Sequence, residues 1–327
     1  MNWNNQRVVV TGAGGFIGSH LIERLVELGA RTVAFVRYTS SGTWGWLDTS
    51  PVKNDVEVVA GDVADRERLR EAIGGADVVF HLAALIGIPY SYHAPASYVR
   101  TNIEGTLNVL QASLDAGARR VIHTSTSEVY GTALHVPIAE SHPLQGQSPY
   151  SATKIAADML AESFARSFGL PVSILRPFNA FGPRQSLRAV IPTIIAQALS
   201  EPEIRLGSLT PTRDFTFVLD TVEGFIRLAE AEGIDAKPVH IGSGVEISIS
   251  DLAQRIIRLI GRDVPVRSDD ARVRPERSEV ERLVADTSRA QAELGWRPRV
   301  SLDEGLRRTI DWVREQHHRL RPAAYGV

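Results

Sequence analysis

A tyrosine and a lysine four positions apart, Tyr150 and Lys154 in the string PYSATK, are the residues best suited to chemistry. On a helix this spacing places both side chains on one face, one turn apart. With 7 Tyr and only three Lys (53, 154 and 237), chance rarely produces such a pair. A phenol with a pKa near ~10 is a poor base at neutral pH, but a neighbouring ammonium favours its phenolate. Tyr150 could then take a hydroxyl proton; the alternative is a surface tyrosine beside a solvated lysine.

A second set of polar residues follows the strand-like segment RRVIHTS, in the string HTSTSEVYG. Thr126 is placed to hydrogen-bond a reacting oxygen, and Ser127 stands beside it. Glu128 supplies a carboxylate that could move a proton as a general acid and base. The simpler interpretation of Glu128 is a strand-end carboxylate that caps a neighbouring N–H group.

A glycine-rich turn, TGAGGFIGSH, joins the strand RVVVT to a helix. Gly12, Gly15 and Gly18 let the backbone approach a ligand closely, and Phe16 and Ile17 begin the helix. A pyrophosphate here would meet free N–H groups and the positive end of the helix dipole. Because the turn follows the first strand of an alternating series, it predicts a dinucleotide cofactor, with an ordinary strand-to-helix turn as the alternative.

Arg37 ends the second strand, nineteen residues after Gly18. An NAD-binding protein would offer Asp or Glu there to the ribose 2′-hydroxyl, whereas an arginine suits a 2′-phosphate. We therefore favour NADP over NAD, although Arg37 could be an ordinary surface residue and an acidic residue elsewhere could bind the ribose. Trp44 and Trp46 are expected to pack a loop near the cofactor.

Two further strand ends are expected to complete the cofactor site. Asp62, at the end of VEVVAGD, could accept a hydrogen bond from the adenine amino group, and Val63 follows it. Ala83 and Ala84 end the segment DVVFHLAA and are small enough for a cofactor to lie against that strand. The positive charge of a bound nicotinamide would also favour the Tyr150 phenolate.

The elements that must position these residues follow from the hydrophobic pattern. Helical stretches alternate with short β-branched runs, namely RVVVT, RTVAFV, VEVVAGD, DVVFHLA, RRVIHTS and PVSILRP. This alternation predicts an α/β fold, a doubly wound parallel-sheet Rossmann domain with its ligands outside the carboxyl ends of the strands. We expect residues 1–176, with about 213–243, to form this domain. Residues of about 177–212 and 244–327, with helices near 188–200, 249–261 and 301–317, should form a smaller α/β substrate-binding lobe.

Composition narrows the class of protein. At 327 residues and 43% hydrophobic, the chain can bury a large core. A net charge of −2 without long like-charge runs argues against nucleic-acid or membrane partners. No apolar run approaches the roughly 18 residues of a membrane span, and the first residues enter a strand directly, so we expect a cytoplasmic protein. With 0 Cys, and no HxxxH or HExxH spacing among 9 His, no metal site is expected.

Together, TGxxGxxG, Thr126, YxxxK and RPFNAFGPRQ resemble the extended short-chain dehydrogenase/reductase family, over nearly the whole chain. The resemblance implies that Thr126, Tyr150 and Lys154 form a catalytic triad and that Asn179 helps to hold the substrate, a nucleotide-diphosphate sugar. It also implies a homodimer built from helices near 101–116 and 150–168. The apolar residues of NIEGTLNVLQASL fit such an interface, as they would fit burial against the chain's own core.

The string STSE is similar to that of GDP-mannose 4,6-dehydratases, with Ser127 where dTDP-glucose dehydratases carry Asp. In those enzymes oxidation at C4 acidifies the C5 hydrogen, a glutamate removes it, water leaves from C6, and the hydride returns to C6. The resemblance therefore makes Glu128 the acid and base. Longer stretches, such as ALIGIPYSYHAPASYVRTNIEGTLNVL, are similar to the GDP-N-acetylglucosamine 4,6-dehydratases of legionaminic acid biosynthesis. An amino sugar is thus the preferred substrate class, while the base, GDP, UDP or dTDP, stays open.

Three arginines are candidate substrate ligands, namely Arg184 in GPRQ, Arg213 in TRDF and Arg274 in RPERSEV. Arg213 and Arg274 are placed to clamp a pyrophosphate, because a guanidinium offers a fork of donors matched to phosphate oxygens. A salt bridge between the two lobes is the alternative for each of these two residues.

Several activities stay open at this point. The sequence favours a 4,6-dehydratase over a UDP-glucuronate decarboxylase, which also carries SEVYG, and over a sugar 4-epimerase, which usually lacks a carboxylate at the position of Glu128. A protein that keeps the fold only to sense a cofactor is a further hypothesis. The intact set of Thr126, Tyr150 and Lys154 argues against it.

Overall fold

The structure, a computed structural model, describes residues 1–273 and 275–316, and strands and helices alternate along them. The strands are β1 Arg7–Thr11, β2 Arg31–Arg37, β3 Glu57–Gly61, β4 Val78–His81, β5 Arg120–Thr124, β6 Val172–Pro177, β7 Asn179–Phe181, β8 Ile204–Leu206, β9 Thr212–Phe217, β10 Pro238–Ile241, β11 Glu246–Ser248, β12 Val266–Ser268 and β13 Arg282–Leu283. The α-helices are α1 Phe16–Glu27, α2 Arg66–Ile73, α3 Ile88–His93, α4 Pro95–Tyr98, α5 Gly105–Asp115, α6 Pro149–Phe168, α7 Val190–Ser200, α8 Val218–Glu230, α9 Ile249–Ile260, α10 Ser288–Leu294 and α11 Leu302–Gln316. Short 3₁₀ turns lie at Gly45–Thr49, Ser127–Tyr130, Asp270–Arg272 and Glu276–Ser278, and a π-helical turn at Val99–Glu104.

Seven of these strands form one parallel sheet, in the order β10-β6-β5-β4-β1-β2-β3. Its strands are apolar on both faces because helices cover both sides. In β1, for example, Val8 and Val10 join the core beside α1 and α8, whereas Val9 joins the core beside α2, α5 and α6. All six strands expected from the sequence lie in this sheet, so the Rossmann-like fold is confirmed. Strand order reverses between β1 and β4, which opens a crevice at their carboxyl ends.

A smaller lobe covers this crevice. Strand β9 pairs with β7, β11 and β13, a second pair is formed by β8 and β12, and α7, α9 and α11 pack around a separate apolar core. Strand β9 therefore belongs to the smaller sheet, whereas α8 and β10, within the stretch 213–243, return to the large one. The division of the chain into two domains at these residues stays a prediction. In the part of the chain that the structure describes, no helix has the length and apolar composition to cross a membrane.

Helix α6, which carries Tyr150 and Lys154, has clear start and stop signals. Ser148 caps it in a capping box, its side chain accepting from the Ser151 N–H at 3.1 Å, while Ser151 Oγ accepts from the Ser148 N–H at 3.0 Å. Gly169 ends the helix in the left-handed conformation, with φ of 67°. These caps fix the register of the helix, so that its first two turns face the carboxyl end of β5.

Candidate active site

A cleft of about 1460 Å³ lies at the carboxyl ends of the parallel strands. It extends from the glycine turn after β1, past Tyr150 and Lys154, to α7 and β8 in the smaller lobe. Every residue that the sequence indicated for catalysis or cofactor binding lines this cleft, as do Asn179 and Arg184. The sequence therefore pointed to a single region of the molecule.

The glycine turn is a cradle that side chains would fill. Gly12 has φ of 71°, and a Cβ there would lie 2.8 Å from the backbone nitrogen of Ala83. A Cβ on Gly18 would collide with the Gly12 carbonyl oxygen. Gly15 is the N-cap of α1 and has no side chain that could cap the helix. The backbone N–H groups of the first turn of α1 are therefore left to bind a ligand. The space, the donors and the helix dipole fit the pyrophosphate of a dinucleotide cofactor.

A loop between β2 and β3 lies directly on this turn. The Trp46 N–H donates to the Gly14 carbonyl oxygen at 3.0 Å, and a Cβ on either Gly14 or Gly45 would clash with the backbone of the other segment. Trp44 lines the cleft, and the Trp46 ring contacts the ring of Trp312 on α11 at 5.3 Å. Both tryptophans thus belong to a loop that packs beside the glycine turn.

At the far end of the cofactor region, Arg37 and Asp62 stand at the ends of β2 and β3. Arg37 is exposed, and no described residue forms an ion pair with it. Asp62 Oδ1 accepts from the Ala64 N–H at 2.9 Å, so its other oxygen can take a ligand donor. Val63 is buried against Gly105. A basic and an acidic side chain therefore border the place where the adenosine end of a dinucleotide would lie.

Lys154 is buried, and its Nζ donates to the Thr124 carbonyl oxygen at 2.6 Å. Burial lowers its pKa to about 8, against the opposing field of the Asp158 carboxylate. Burial also raises the pKa of Tyr150, and the negative charge of Glu128 raises it further. A hydrogen bond with the Thr126 side chain acts in the opposite direction and lowers the tyrosine's pKa. The protein alone therefore keeps Tyr150 as a phenol, and the positive charge of an oxidised nicotinamide is needed to favour its phenolate.

The 3₁₀ turn after β5 presents the remaining catalytic candidates. The Thr126 side chain caps this turn by accepting from the Glu128 N–H at 3.3 Å, and Ser127 is buried beside it. The capping role considered for Glu128 thus belongs to Thr126. The Glu128 carboxylate is half-buried in the cleft and has no hydrogen bond or ion pair with any residue that the structure describes. It is available to a bound molecule.

The candidate substrate ligands are only partly assembled. Asn179 lines the cleft, with its Nδ2 donating to the Asp214 carbonyl oxygen at 3.4 Å. Arg184 also lines it, but its guanidinium pairs with Glu23 at 2.7 Å. Arg213 is buried in an ion pair with Glu279, at 3.2 Å, which lies within the smaller lobe and not between the two lobes. Arg274 lies outside the described residues, so its place in a pyrophosphate clamp stays a prediction.

Two features of the cleft were not found from the sequence. Segment 85–90 forms one wall, and Ile88 within it packs with Tyr98 and Tyr150. Gln185 Oε1 is buried without a hydrogen-bond partner among the described residues and can accept from a substrate. Neither follows from a spacing rule, because an apolar loop and a single glutamine carry no local signal. Across the described ranges, no group of three or more His, Asp or Glu is arranged to hold a metal ion.

Comparison with known proteins agrees with this geometry. The profile of the GDP-mannose 4,6 dehydratase family matches residues 9–309. A dTDP-glucose 4,6-dehydratase of Streptomyces antibioticus is 34% identical, over 94% of this chain and 92% of its own length. UDP-glucuronic acid decarboxylase 6 of Arabidopsis thaliana is also 34% identical, over 93% of this chain and 87% of its own. Relatives with different activities thus lie at the same distance.

Comparison with a solved structure also shows similarity over nearly the full chain. The dTDP-glucose 4,6-dehydratase of Streptomyces venezuelae, determined with NAD bound, superposes with a TM-score of 0.89 and is 31% identical. The match covers 97% of this chain and 99% of that one. Family profile, relatives and fold agree over almost the full length, and the glycine turn, Thr126, Tyr150 and Lys154 meet in one cleft. The chain therefore belongs to the nucleotide-sugar epimerase and dehydratase family of extended short-chain dehydrogenases/reductases.

Proposed function

We propose that the protein is an NAD(P)-dependent nucleotide-sugar 4,6-dehydratase. It converts a nucleotide-diphosphate hexose, by preference the N-acetylglucosamine form, to the 4-keto-6-deoxy sugar. The observation that carries this proposal is the Glu128 carboxylate, which has no hydrogen bond or ion pair with a described residue and lies in the cleft close enough to Tyr150 to raise the tyrosine's pKa. Oxidation followed by rotation of a ketone, which suffices for a 4-epimerase, has no need of a carboxylate there.

Tyr150, Thr126 and Lys154 act on the C4 hydroxyl group. Thr126 holds the oxygen by a hydrogen bond, and the Tyr150 phenolate, favoured once oxidised nicotinamide is bound, takes the proton and becomes a phenol. Lys154, fixed to the Thr124 carbonyl, contributes positive charge to the floor of the site. The bound nicotinamide supplies a temporary store for the hydride, so that the reaction has no net redox change.

Glu128 acts next, on the C5 proton. A ketone at C4 makes this proton acidic, and the free carboxylate removes it. The same group, now protonated, donates to the C6 hydroxyl, which leaves as water. The carboxylate is thereby regenerated. Return of the stored hydride to C6 and delivery of a solvent proton to C5 would then give the 4-keto-6-deoxy sugar, and Tyr150 would release the proton it took from the C4 hydroxyl, so that only water is lost. The half-buried position of Glu128 limits the access of bulk water to its carboxylate.

The phosphorylated cofactor and the substrate ligands belong to the same proposal. Arg37, exposed and in no ion pair with any residue that the structure describes, supports NADP, since a guanidinium pairs well with a 2′-phosphate. NAD is the alternative, and the structural relative from Streptomyces venezuelae contains it. Asn179 and Gln185 are proposed to bind the sugar, with Arg213 and Arg274 on the diphosphate after Arg213 exchanges its partner Glu279.

We further propose a cytoplasmic homodimer that pairs α5 and α6 of two copies. Leu107 on α5 and Met159 on α6 are large apolar side chains exposed on the single chain, at 37% and 43%. Phe168, at the end of α6, is 58% exposed. Pairing of these helices would remove this surface from water.

A decarboxylase acting on a nucleotide-linked uronic acid is the second candidate, supported by a relative of that activity at 34% identity. The substitution Glu128→Gln separates the two. In a dehydratase it should block elimination by ~10²- to 10⁴-fold while sparing oxidation, so that a 4-keto hexose accumulates with reduced cofactor. The control Glu201→Gln removes another carboxylate that lines the cleft and should leave turnover nearly unchanged. Normal dehydration by Glu128→Gln would contradict the proposed role.

A further inference from the structure

A buried group of charged and polar side chains lies beneath the catalytic residues, and of its members only Ser125 also lines the cleft. Its centre is Asp158, one helical turn beyond Lys154 on α6 and fully buried. The Asp158 carboxylate accepts hydrogen bonds from Ser125 Oγ at 2.6 Å, from His123 Nε2 at 3.1 Å and from Arg176 Nη2 at 2.9 Å. Three side chains, from β5, its carboxyl end and β6, thus converge on one carboxylate.

The contact with Ser125 connects Asp158 to the catalytic strand end. Ser125 stands between Thr124, whose carbonyl oxygen accepts from Lys154 Nζ, and Thr126, which contacts Tyr150. The hydrogen bond from Ser125 to Asp158 therefore holds in place the Thr124 carbonyl, which accepts from Lys154, and the Thr126 hydroxyl, which contacts Tyr150.

The other side of the group reaches the turn that carries Glu128. Arg176 Nη1 donates to the Tyr130 hydroxyl oxygen at 2.7 Å, and that hydroxyl donates to His240 Nε2 at 2.6 Å. Burial raises the pKa of Tyr130 to about 12 and lowers that of His240 to about 3. Both side chains are therefore neutral at physiological pH, and this arm acts as a rigid support rather than as a proton relay.

We propose that Asp158 is a positioning residue for the catalytic lysine: held by Ser125, His123 and Arg176, its carboxylate keeps the buried Lys154 side chain charged and in place. The inference rests on the proposed role of Lys154 but not on which nucleotide sugar is the substrate. A buried ammonium needs a nearby negative charge, and Asp158 is the acid one turn away on the same helix. Loss of the Lys154 charge would remove the positive charge that this residue is proposed to contribute to the floor of the site.

Among the titratable groups near Lys154, Asp158 is the one that carries the negative charge needed to keep the lysine protonated. Burial lowers the pKa of both His123 on β5 and His81 on β4, so these neighbours are neutral. Arg176 on β6 is a cation, which Asp158 balances. Among the residues that the structure describes, only the Asp158 carboxylate raises the pKa of Lys154, and burial lowers this pKa to about 8. Removing Asp158 should therefore make the lysine lose its proton at a lower pH.

The protonation of Lys154 can be measured directly, because the chain has only three lysines. Protein labelled with ¹³C at lysine Cε gives three signals, which Lys53→Arg and Lys237→Arg assign. We expect the Lys154 signal to titrate near pH 8 in the wild type, and about one to three pH units lower in Asp158→Asn. Tyr130→Phe is the matched control: it removes a buried hydroxyl that contacts Arg176, not Asp158, and should leave this midpoint unchanged.

A folded Asp158→Asn variant with the wild-type midpoint would overturn the proposal. Loss of Asp158 leaves the buried Arg176 charge unpaired, which could prevent folding. In that case Asp158→Asn combined with Arg176→Met removes both charges and carries the same test, with the same lowered midpoint expected and an unchanged midpoint as the refutation. Because the titration needs no substrate, its outcome is independent of whether the enzyme dehydrates, decarboxylates or epimerises a sugar.

Discussion

The rings of Trp46 and Trp312 meet edge to face, with their centroids 5.3 Å apart. Trp46 belongs to the loop that lies on the glycine turn, and Trp312 to the last described helix, α11, of the smaller lobe. The contact therefore joins the cofactor side of the cleft to the lobe proposed to bind the sugar. An enzyme that returns its hydride to the same substrate benefits from a cofactor that stays bound, and this loop is placed to retain it.

Two glycines of that loop test this role. Gly45 and Gly42 both have positive φ, 68° and 65°, so alanine strains either backbone by ~1 to 2 kcal/mol. A Cβ on Gly45 would also strike the Gly14 carbonyl, whereas one on Gly42 meets open space. We expect Gly45→Ala to weaken cofactor binding by ~10-fold or more, and Gly42→Ala to change it by less than ~3-fold. Titration of both purified variants with NADP and NAD measures the difference; equal affinities would count against the loop.

Tyr150→Phe should reduce turnover by ~10²- to 10⁴-fold, because the proton acceptor for the C4 hydroxyl is lost. The fold and cofactor content should be unchanged. Tyr98→Phe is the matched control, since Tyr98 packs edge to face on Tyr150 at 6.3 Å but donates its hydroxyl to the Gly87 carbonyl oxygen. Steady-state rates of both variants decide the point, and near-normal turnover by Tyr150→Phe would remove it from the mechanism.

Arg37→Ala should weaken NADP binding by ~10-fold or more and leave NAD binding nearly unaltered, because its charge has a partner only in the 2′-phosphate. Arg31→Ala, at the opposite end of β2, removes the same charge away from the cleft. Dissociation constants of both cofactors for the three proteins give the result. A wild type that binds NAD and NADP equally, with no change in Arg37→Ala, would refute the preference.

The buried histidines predict a loss of stability in acid. Burial lowers the pKa of His240 to about 3 in the folded chain, against ~6.5 in the unfolded chain, so between these pH values the unfolded chain binds a proton that the native state does not. The contribution of His240 to the free energy of unfolding is therefore fully present above pH ~6.5. It decreases as the pH is lowered toward the folded-state pKa, by at most ~1.4 kcal/mol per pH unit. Denaturant unfolding from neutral to acid pH measures the slope. His240→Gln should reduce the slope of unfolding free energy against pH. A slope unchanged in this variant would show that other groups cause the loss of stability in acid.

Much of the fold could be predicted from the sequence because its signals are local. The β-branched runs, the glycine turn and the Ser-Pro start of α6 each determine their own short segment, and the alternation of strands and helices determines a parallel sheet. The residues at strand ends consequently met in one cleft. Strand β9 and helix α10 were harder to assign, since strand pairing in the smaller lobe joins segments far apart in sequence.

Partners across long sequence distances account for the rest of the site. The arginine in GPRQ suggested a substrate ligand, yet Arg184 pairs with Glu23, which lies on the first helix. Likewise, nothing near Asp158 in the sequence shows that Ser125 and Arg176 converge on it. A spacing rule can place Tyr150 beside Lys154, but burial, which raises the pKa of one and lowers that of the other, comes from the folded chain.

The mass of the product formed from a panel of nucleotide sugars, made by the wild-type protein in deuterated water, tests the central claim most directly. The panel should include the GDP, UDP and dTDP forms of N-acetylglucosamine and UDP-glucuronate. A 4,6-dehydratase predicts a product that has lost one water from one hexose substrate and has gained the single extra mass unit of a solvent deuterium at C5, with no net consumption of cofactor. Release of carbon dioxide from UDP-glucuronate, or an epimer of unchanged mass, with no dehydration of any hexose in the panel, would contradict it.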